Sequence, residues 1–334
     1  MRIDIHTAEK DYPINVERGI LSHVRDYVDP SRRVFIVSDD QVAPLYLDAL
    51  KAQFPSAPYY VFPHGEKQKN LHTFEEILKA MLENHLSRTD LLIALGGGVV
   101  SDLAGFCAAC YKRGIDYINI PTSMLSQLDS SIGGKTAVDF CGVKNSIGAF
   151  HQPSLVFIDP DTLKTLPKRH ISNGLAEAVK MGLTGDERLF ELFETDSALT
   201  HIDEIIERSL RYKKKIVEED EIETGIRKIL NFGHTFGHAY ESLYDLSEYL
   251  HGECVAMGMM RVLKNEEIRN RLRNVLKSLD LPYECEADPN EVICMIQNDK
   301  KAGHDTVTMV QVDKIGEGHL EVWGMDELRE ALKR

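Results

Sequence analysis

The chain lacks long apolar runs, internal repeats and low-complexity segments. No stretch reaches the roughly 18 to 20 apolar residues that cross a bilayer. The first residues, Met-Arg-Ile-Asp-Ile-His, lack the apolar core of a signal peptide and are expected to form a strand. These absences argue against a membrane protein and against a repeat architecture.

Positive charge is in short supply, because 39 Lys and Arg oppose 53 Asp and Glu for a net charge of −14. This balance argues against nucleic acid or an anionic membrane as the main partner. An anionic substrate would therefore need basic residues that cluster locally. The 334 residues suffice for two domains, and 43% hydrophobic with 28% charged residues is ordinary for a globular enzyme.

Cysteine is sparse and irregularly spaced, with six in the chain. This spacing favours reduced thiols and a cytoplasmic location. Cys107 and Cys110 form a Cys-x-x-Cys in an apolar run, and no second pair follows at zinc-site spacing. We interpret them as small core residues of a buried helix, with a redox or metal role as the alternative.

Short β-branched runs alternate with helical stretches through the first half of the chain. The pattern predicts a Rossmann-like α/β domain over residues 1–166, with a mostly parallel sheet that binds ligands at the carboxyl ends of its strands. Strands are predicted at 34–37, 59–62, 91–95, 117–120 and 155–158, and helices at 42–54 and 71–84. Residues 167–334 are dominated by 3.6-residue periodicity, for example at 189–194, 205–219 and 253–279, which predicts an all-α second domain. Its only strand candidates are 306–312 and 320–323.

Four polar residues recur at helical spacing in one segment: Arg227, Asn231, His234 and His238. Positions i, i+4, i+7 and i+11 share one face of an α-helix. The imidazoles could ligate a metal, and the guanidinium and the amide suit an anionic or hydroxylated ligand. Glycines at 233 and 237 indicate that another group approaches the backbone closely. A functional site is predicted here, with a solvated helix face as the alternative.

The ends of three predicted strands carry signals for a nucleotide. Gly96-Gly97-Gly98 stands between a strand and a helix, where backbone N–H groups and the helix dipole favour a phosphate. A tight structural turn is an equally good explanation of three glycines. Asp39 ends an earlier strand and is placed to bind a ribose hydroxyl. Glu66 and Lys69 form a charged pair after the next strand, with a surface ion pair as the alternative.

A Ser/Gly-rich segment over residues 121–136 ends in Gly-Gly-Lys-Thr, as a P-loop does. A P-loop also needs a glycine five residues before its last glycine, and this chain has Asp129 there. What remains is a polar loop that contains Lys135 and is followed by Lys144 and Asn145. Such a loop suits a phosphate or a hydroxylated small molecule, with an incidental lysine as the alternative.

Glu177 and Lys180 lie one turn apart in an otherwise apolar helical stretch. A charged pair in that setting is either an internal salt bridge or part of a site. Glu177 could join His234 and His251 in a three-ligand set with room for substrate oxygens, which is the open arrangement of a catalytic zinc.

Several long motifs in one order resemble the 3-dehydroquinate synthase family of sugar-phosphate cyclases over essentially the whole chain. The matching segments are Gly-Gly-Gly-Val-Val-Ser-Asp-Leu-Ala-Gly-Phe (96–106), Tyr-Lys-Arg-Gly (111–114), residues 121–136, Lys-Asn-Ser-Ile-Gly-Ala-Phe-His-Gln-Pro (144–153), Asn-Phe-Gly-His-Thr-Phe-Gly-His (231–238) and His-Gly-Glu (251–253). The resemblance implies an NAD-binding α/β domain, a helical metal-binding domain and an active site in the cleft between them.

The implied activity is that of a carbon–oxygen lyase in the shikimate pathway, which leads to chorismate and the aromatic amino acids. The family converts 3-deoxy-D-arabino-heptulosonate 7-phosphate to 3-dehydroquinate and phosphate without net redox change. Transient oxidation at C5 by NAD⁺, phosphate elimination, re-reduction and an intramolecular aldol closure follow one another. The resemblance also implies a divalent metal, zinc or cobalt, on Glu177, His234 and His251. A homodimer is implied, because Arg113 would reach in from the neighbouring subunit.

The remaining site residues are implied by the same resemblance. The phosphate end of the substrate would meet Lys135, Asn145, Asn231 and His238, with Arg113 and one lysine of the pair Lys300 and Lys301, of which we choose Lys301. The substrate carboxylate would pair with Lys213 and Arg227, while Lys180 and Asp129 would lie near the metal and the nicotinamide. The cofactor contacts would be Asp39, Glu66, Lys69, Gly97, Gly98, Asp102, Thr122 and Lys144.

Two departures and three rival functions accompany the resemblance. The loop 138–142 before Lys144 differs from the commonest versions in the family. Ser101 stands where the family usually has glycine, and it is expected to cap a helix without blocking the nucleotide. Cyclases that act on sedoheptulose 7-phosphate or glucose 6-phosphate are disfavoured, because Lys213 and Arg227 suit a carboxylate that those sugars lack. A glycerol-dehydrogenase-like enzyme would not need so many anion-binding residues. An inactive homologue would not need the three metal ligands.

Overall fold

The structure is a computed structural model that describes residues 1–195, 198–244, 248–299 and 306–334. The chain divides into two compact units, Met1–Leu166 and Pro167–Arg334. Among the helices formed by the described residues, none is long and apolar enough to cross a bilayer.

The first unit is organised by a seven-stranded sheet and a separate hairpin. Its strands in chain order are β1 (Arg2–Ile5), β2 (Tyr12–Val16), β3 (Val34–Asp39), β4 (Tyr59–Phe62), β5 (Leu91–Gly96), β6 (Asp116–Pro121), β7 (Lys135–Phe140), β8 (Val143–Phe150) and β9 (Leu155–Ile158). The sheet has the order β1-β2-β9-β6-β5-β3-β4, and β7 and β8 form a separate two-stranded sheet. Only β1, at one edge, is antiparallel to its neighbour, so the predicted mostly parallel sheet is confirmed.

Helices cover both faces of this sheet because its central strands are apolar throughout. The helices are α1 (Ala43–Gln53), α2 (Leu71–Glu83) and α3 (Gly98–Cys110). Successive side chains of a strand point to opposite faces. Accordingly, Phe35 and Val37 of β3 pack in the core that contains α2 and α3, whereas Val34 and Ile36 pack in the core that contains α1. This two-sided burial explains why β3 and β5 read as continuous hydrophobic runs.

Two expectations about α3 need correction. Cys107 is fully buried in the core, as expected. Cys110 is the last residue of α3 and is exposed. Ser101 does not cap the helix, since α3 begins at Gly98 with Gly97 at the N-cap position. Ser101 is instead buried within the helix at 3% exposure. A small residue therefore fits there for reasons of packing.

The second unit is helical apart from one β-hairpin. Its helices are α4 (Lys168–Gly185), α5 (Glu187–Phe193), α6 (Ile202–Glu219), α7 (His234–Leu243), α8 (His251–Val262), α9 (Glu266–Ser278), α10 (Pro289–Asp299) and α11 (Met325–Ala331). The hairpin of β10 (Thr306–Lys314) and β11 (Glu317–Gly324) occupies the two late strand candidates. The periodic stretch 253–279 is interrupted before Glu266, because the Asn265 side chain accepts from two backbone N–H groups and starts α9.

Helix α4 lies at the centre of the second unit. It packs against α5, α6 and α8, against β11, and against a 3₁₀ turn at Ile226–Asn231. All its residues from Asn173 to Thr184 are buried. Any polar side chain in this part of α4 must therefore find its partners inside the protein.

Candidate active site

Helix α4 carries a buried ion pair at its centre. Glu177 is fully buried and Lys180 is 1% exposed. The two residues lie one turn apart, and the Lys180 ammonium contacts Glu177 Oε2. Ionised groups are rarely buried so completely unless they are paired or bind a ligand. The other oxygen, Glu177 Oε1, is buried and forms no hydrogen bond with the described residues.

The histidine-rich segment is not one helix, contrary to the sequence prediction. A 3₁₀ turn at Ile226–Asn231 ends before Phe232, Gly233 takes a φ of 79°, and α7 starts at His234. A Cβ at position 233 would lie 2.8 Å from the carbonyl oxygen of Val255 and 2.7 Å from Met259 Cγ. The close approach of α8 therefore requires glycine and breaks the helix. Arg227 and Asn231 lie on the turn, and only the two histidines share a helix.

The three predicted metal ligands converge within the second unit. Glu177 Oε1 is 3.7 Å from His234 Nε2 and 3.5 Å from His251 Nε2. One ligand atom from each residue lies within 4.8 Å of the other two. Two imidazole nitrogens around a buried carboxylate oxygen without a hydrogen-bond donor form a donor set that suits zinc or a similar divalent ion. The arrangement therefore fits the metal that the resemblance implies.

Each imidazole in this cluster is oriented by its other nitrogen. His234 Nδ1 lies 3.2 Å from the backbone oxygen of Phe232, and His251 Nδ1 lies 2.7 Å from Glu241 Oε1. Both Nε2 atoms consequently face Glu177. This pattern is common at metal sites, where a histidine donates its second N–H to an oxygen.

The electrostatics of the cluster keep Glu177 ionised despite its burial. Burial alone would raise its pKa, but the Lys180 ammonium and the nearby imidazoles hold that pKa well below the usual range. Burial, assisted by the Lys180 charge, lowers the pKa of His234 to about 3. Burial also opposes protonation of His251, but Glu241 and Glu177 outweigh it and raise the pKa of His251 to about 10. The ionised carboxylate of Glu177 therefore lies close to both rings.

A stripe on α4 secures the backbone that carries His251. The residues at i, i+4 and i+8 are Arg169, Asn173 and Glu177. The Asn173 side chain accepts a 2.6 Å hydrogen bond from the backbone N–H of Gly252, and Arg169 pairs with Glu253 at 2.7 Å. Sequence reasoning missed Arg169 and Asn173, although their spacing of four from Glu177 along α4 is the signal that could have found them, and it gave no role to Glu253 of the motif 251–253.

The residues predicted to bind the substrate carboxylate lie on elements that pack against α4. Lys213 of α6 and Arg227 of the turn are 6% and 1% exposed. The loop before Arg227 is ordered by Asp220, whose carboxylate accepts from three backbone N–H groups, including that of Arg227. Asn231 is exposed and donates a 2.6 Å hydrogen bond to Glu223. Sequence reasoning missed Asp220, which spacing alone could not connect to the loop.

His238 lies one turn after His234 on α7. Its ring centroid is 5.3 Å from that of His234 and 6.0 Å from that of His251, and its side chain is exposed. The position thus joins the solvent-facing side of the same cluster. The predicted substrate residue Lys301 and its neighbour Lys300 lie outside the described residues.

Four of the predicted cofactor residues lie at the carboxyl ends of adjacent strands in the first unit: Asp39, Gly97, Gly98 and Thr122. They follow or end β3, β5 and β6, which are neighbours in the sheet. No side chain caps the start of α3, and a Cβ at Gly98 would lie 3.3 Å from Ser130 Oγ. A helix start without a side-chain cap, at a position where a larger side chain would be crowded, fits a bound phosphate.

Asp39 already has backbone partners. Its Oδ1 accepts hydrogen bonds from the N–H groups of Gln41 and Val42, at 3.0 and 2.8 Å. Burial raises the pKa of the Asp39 carboxyl above its ordinary value. The side chain is thereby fixed at the strand end.

Lys69 belongs to a buried cluster, so a surface ion pair with Glu66 is the wrong interpretation. Lys69 is 5% exposed and contacts Asp102 of α3, while Glu66 lies 3.9 Å away. Burial alone would lower the pKa of Lys69, but Asp102 and Glu66 raise it to about 12. Three predicted cofactor residues are thus brought together.

The β7–β8 hairpin separates the predicted residues Lys135 and Asn145. Lys135 pairs with Phe150, five residues along β8 from Asn145, which corresponds to about 17 Å at the rise of an extended strand. The backbone N–H of Asn145 donates to Asp139, and the N–H of Asp139 donates to the carbonyl of Lys69. Asn145, the neighbour of Lys144, is therefore connected to Lys69 through Asp139.

Asp129 and Arg113 lie in short turns of the first unit. Asp129 is half-buried in a helical turn at Ser126–Ser130, next to the carboxyl edge of the sheet that carries Gly97 and Gly98, which we call the glycine-rich edge. Arg113 is exposed and follows α3 at the opposite edge of the sheet from Gly98. Since α3 has 13 residues, the two ends are about 20 Å apart.

Comparison with known proteins relates this fold to enzymes. A 2-epi-5-epi-valiolone synthase from Streptomyces hygroscopicus subsp. jinggangensis 5008, with NAD⁺ and Zn²⁺ bound, superposes with a TM-score of 0.88 at 28% identity, over 98% of this chain and 97% of that one. A 2-deoxy-scyllo-inosose synthase, complexed with carbaglucose-6-phosphate, NAD⁺ and Co²⁺, shares the fold with a TM-score of 0.87 at 24% identity, over 99% of each chain. The fold is that of the sugar-phosphate cyclases.

Sequence comparison identifies the family within this class. Family profiles described as 3-dehydroquinate synthase N-terminal and 3-dehydroquinate synthase C-terminal match residues 59–173 and 174–302. A 3-dehydroquinate synthase from Colwellia psychrerythraea (strain 34H) is 42% identical over 325 residues, which cover 90% of each protein. The chain belongs to the 3-dehydroquinate synthase family, as the resemblance predicted.

Proposed function

We propose that the chain converts 3-deoxy-D-arabino-heptulosonate 7-phosphate to 3-dehydroquinate and inorganic phosphate. The observation that carries this proposal is the cluster of His234 and His251 around the buried Glu177, beside Lys180, in a chain that belongs to this enzyme family. The substrate is a small phosphorylated sugar acid. The overall charge of −14 would repel its two anionic ends, so binding requires basic residues that cluster locally in the site.

One NAD and one divalent metal are the proposed cofactors. NAD accepts and later returns a hydride when bound, while the metal polarises oxygens at the oxidised carbon and lowers the pKa of the alcohol. The two structural relatives are described with NAD⁺ and either Zn²⁺ or Co²⁺. The mixed nitrogen and oxygen donors of the cluster suit both ions.

The protein residues around the proposed metal divide the work between them. Glu177 would offer Oε1 to the cation, while its Oε2 accepts a hydrogen bond from the Lys180 ammonium. The pKa of His234, lowered by burial, keeps its imidazole neutral and therefore able to donate a lone pair. Lys180 would also lie beside the reacting oxygens, because it is one turn from the ligand carboxylate.

Substrate binding is assigned to the remaining basic and amide groups. Lys213 and Arg227 would pair with the carboxylate, and the buried guanidinium of Arg227 can make a bidentate contact. The phosphate would be held by Lys135, Asn145, Asn231 and His238, with Lys301 and the neighbouring subunit's Arg113. Anchoring both ends would position the carbons between them for reaction.

NAD binding is assigned to the glycine-rich edge of the first unit. Backbone N–H groups at Gly97 and Gly98 would meet the pyrophosphate, and Asp39 would accept from a ribose hydroxyl. The other proposed contacts are Glu66, Lys69, Asp102, Thr122 and Lys144, and Asp129 would lie near the nicotinamide and the metal as a catalytic residue. The proposed division is therefore an NAD-binding unit over residues 1–166 and a metal- and substrate-binding unit over residues 167–334.

The test is phosphate release from 3-deoxy-D-arabino-heptulosonate 7-phosphate by the metal-loaded protein, with and without NAD⁺. We expect NAD⁺-dependent phosphate release without accumulation of NADH, abolished by a chelator and restored by added zinc or cobalt. Net NADH formation with simple alcohols would instead identify an alcohol dehydrogenase. Turnover of sedoheptulose 7-phosphate or glucose 6-phosphate alone would identify a different cyclase.

A cytoplasmic homodimer is the proposed state of the enzyme. Arg113 lies far from Gly98 within its own unit, which supports a role for it in a neighbour's site. The variants Arg113→Ala and Arg227→Ala should each be impaired, and mixing them under conditions that exchange subunits should restore activity that neither has alone. No restoration in demonstrated mixed dimers would show that Arg113 acts within its own chain, or not at all.

A further inference from the structure

Glu241 is a buried carboxylate on the same face of α7 as His234 and His238. It follows His234 and His238 at i+7 and i+3, which is helical spacing. The residue is 2% exposed, and its Oε1 lies 2.7 Å from Nδ1 of His251. Helix α7 therefore supplies one candidate ligand directly and contacts the ring of a second ligand on α8.

The hydrogen bond determines which nitrogen of His251 can bind a cation. A metal would displace one proton of His251, and the imidazole that remains has one N–H donor and one nitrogen lone pair. A carboxylate at 2.7 Å accepts from Nδ1, so the lone pair resides on Nε2, the atom 3.5 Å from Glu177 Oε1. His234 receives the same orientation from a backbone carbonyl at 3.2 Å. His251 differs because its acceptor is a charged side chain, which mutation can remove.

A role for Glu241 as a ligand is less consistent with this geometry. Glu241, His238 and His251 also lie close enough to surround an ion. The Glu241 carboxylate, however, already faces Nδ1 of His251 at 2.7 Å and accepts its proton. That second cluster also includes an exposed imidazole, whereas Glu177 offers a fully buried oxygen that lacks a donor.

We propose that Glu241 is a positioning residue of the metal centre, which fixes the tautomer and the ring orientation of His251. The proposal rests on the metal centre assigned under the proposed function. Removal of a carboxylate that orients a ligating histidine typically weakens metal binding by about 10- to 100-fold. Removal of the Glu241 carboxylate should therefore lower the metal affinity and not merely the stability of the apoprotein.

The experiment compares Glu241→Ala, Glu241→Gln and Tyr240→Phe with the unaltered protein. Zinc affinity is measured by competition with a chromogenic chelator, and the unfolding temperature of each apoprotein is measured separately. We expect a loss of about 10- to 100-fold for Glu241→Ala and a smaller loss for Glu241→Gln, whose amide oxygen can still accept from Nδ1. Tyr240→Phe changes a buried neighbour on the same helix and should retain the original affinity.

Cobalt-loaded protein gives a second readout. The visible absorption of bound Co²⁺ should shift in Glu241→Ala and stay unchanged in Tyr240→Phe, because only the former releases the His251 ring. Unchanged affinity and spectrum in both Glu241 variants would overturn the positioning role. An equal loss of affinity in Tyr240→Phe would show that the effect of the Glu241 variants comes from altered packing of α7 and not from the contact with His251. Absence of zinc binding by the unaltered protein would overturn the metal centre itself.

Discussion

The glycine-rich edge of the first unit and the metal cluster of the second unit are built in opposite ways. At the edge, the proposed cofactor-binding groups are backbone N–H groups at the start of α3, where a side chain larger than that of glycine would crowd Gly98. In the cluster, the groups are side chains from α4, α7 and α8 that are fixed by further side chains. The edge should therefore be sensitive to added atoms, and the cluster to removed ones.

The largest expected effect comes from removing a side chain of the cluster. His234→Ala should abolish stoichiometric zinc binding and reduce turnover by about 10³-fold or more, because metal polarisation contributes several kcal/mol. Metal content after dialysis and phosphate release are the measurements. NAD⁺ affinity, measured by protein fluorescence quenching or calorimetry, should stay within a few-fold. Full zinc occupancy in this variant would show that His234 is not a ligand.

Breaking the buried ion pair should have the next largest effect. Lys180→Met leaves Glu177 buried without its counter-ion, and loss of one partner of a buried pair costs about 3–5 kcal/mol. Urea unfolding of the apoprotein measures this cost. Zinc-loaded protein should lose less stability, since the cation offsets the charge of Glu177. An equal loss of stability in both forms would show that the ion pair acts independently of the metal centre.

The converse change adds atoms at the edge. Gly98→Val would place a branched side chain where even a Cβ lies 3.3 Å from Ser130 Oγ. Overpacking of about 1–3 kcal/mol corresponds to roughly a 5- to 150-fold rise in the NAD⁺ dissociation constant. Zinc content should not change, which is the reverse of the expectation for His234→Ala. Loss of zinc together with NAD⁺ in Gly98→Val would mean that the two regions are not independent.

The smallest effect concerns a half-exposed carboxylate, in contrast to the buried Glu177. Burial opposes ionisation of Asp116, but Lys10, Ser154 and Arg32 lower its pKa to about 2. The unfolded value is 3.8, so the ionised group contributes stability above pH 3.8, and this contribution is lost as the pH falls towards 2. Asp116→Asn should reduce stability at neutral pH slightly and flatten its pH dependence between pH 4 and 2. Solvent screening keeps the effect small. An unchanged acid-unfolding profile would contradict it.

The fold could be predicted from the sequence to the extent that it follows from local periodicity. Buried parallel strands read as apolar runs, and amphipathic helices repeat every 3.6 residues, so β3, β5, α2 and the late hairpin were accessible. The strands β2, β7 and β8 were not predicted. In β8, most residues are exposed, and its alternation does not show a buried face. Such a strand is recognised only through the partner it pairs with.

The identity of most candidate site residues also followed from the sequence, whereas their partners did not. Glu177, His234 and His251 could be named together because their chemistry suits one ion. The glycines at 233 and 237 indicated a close approach to the backbone, but only the structure shows that α8 passes beside Gly233 and that α7 begins after it. Lys69 and Asp102 are 33 positions apart (102 − 69), and only the packing of α3 makes their contact visible.

The sequence by itself determined the class of fold, the family and the set of groups that chemistry requires, because these depend on residue types and on spacing within single elements. Only the tertiary structure decided which oxygen of Glu177 lacks a donor, which nitrogen of His251 faces it and why Gly233 must be glycine. These properties depend on distances between elements that are remote in sequence. The contact of Glu241 with His251 belongs to this second kind, since it arises from the packing of α7 against α8.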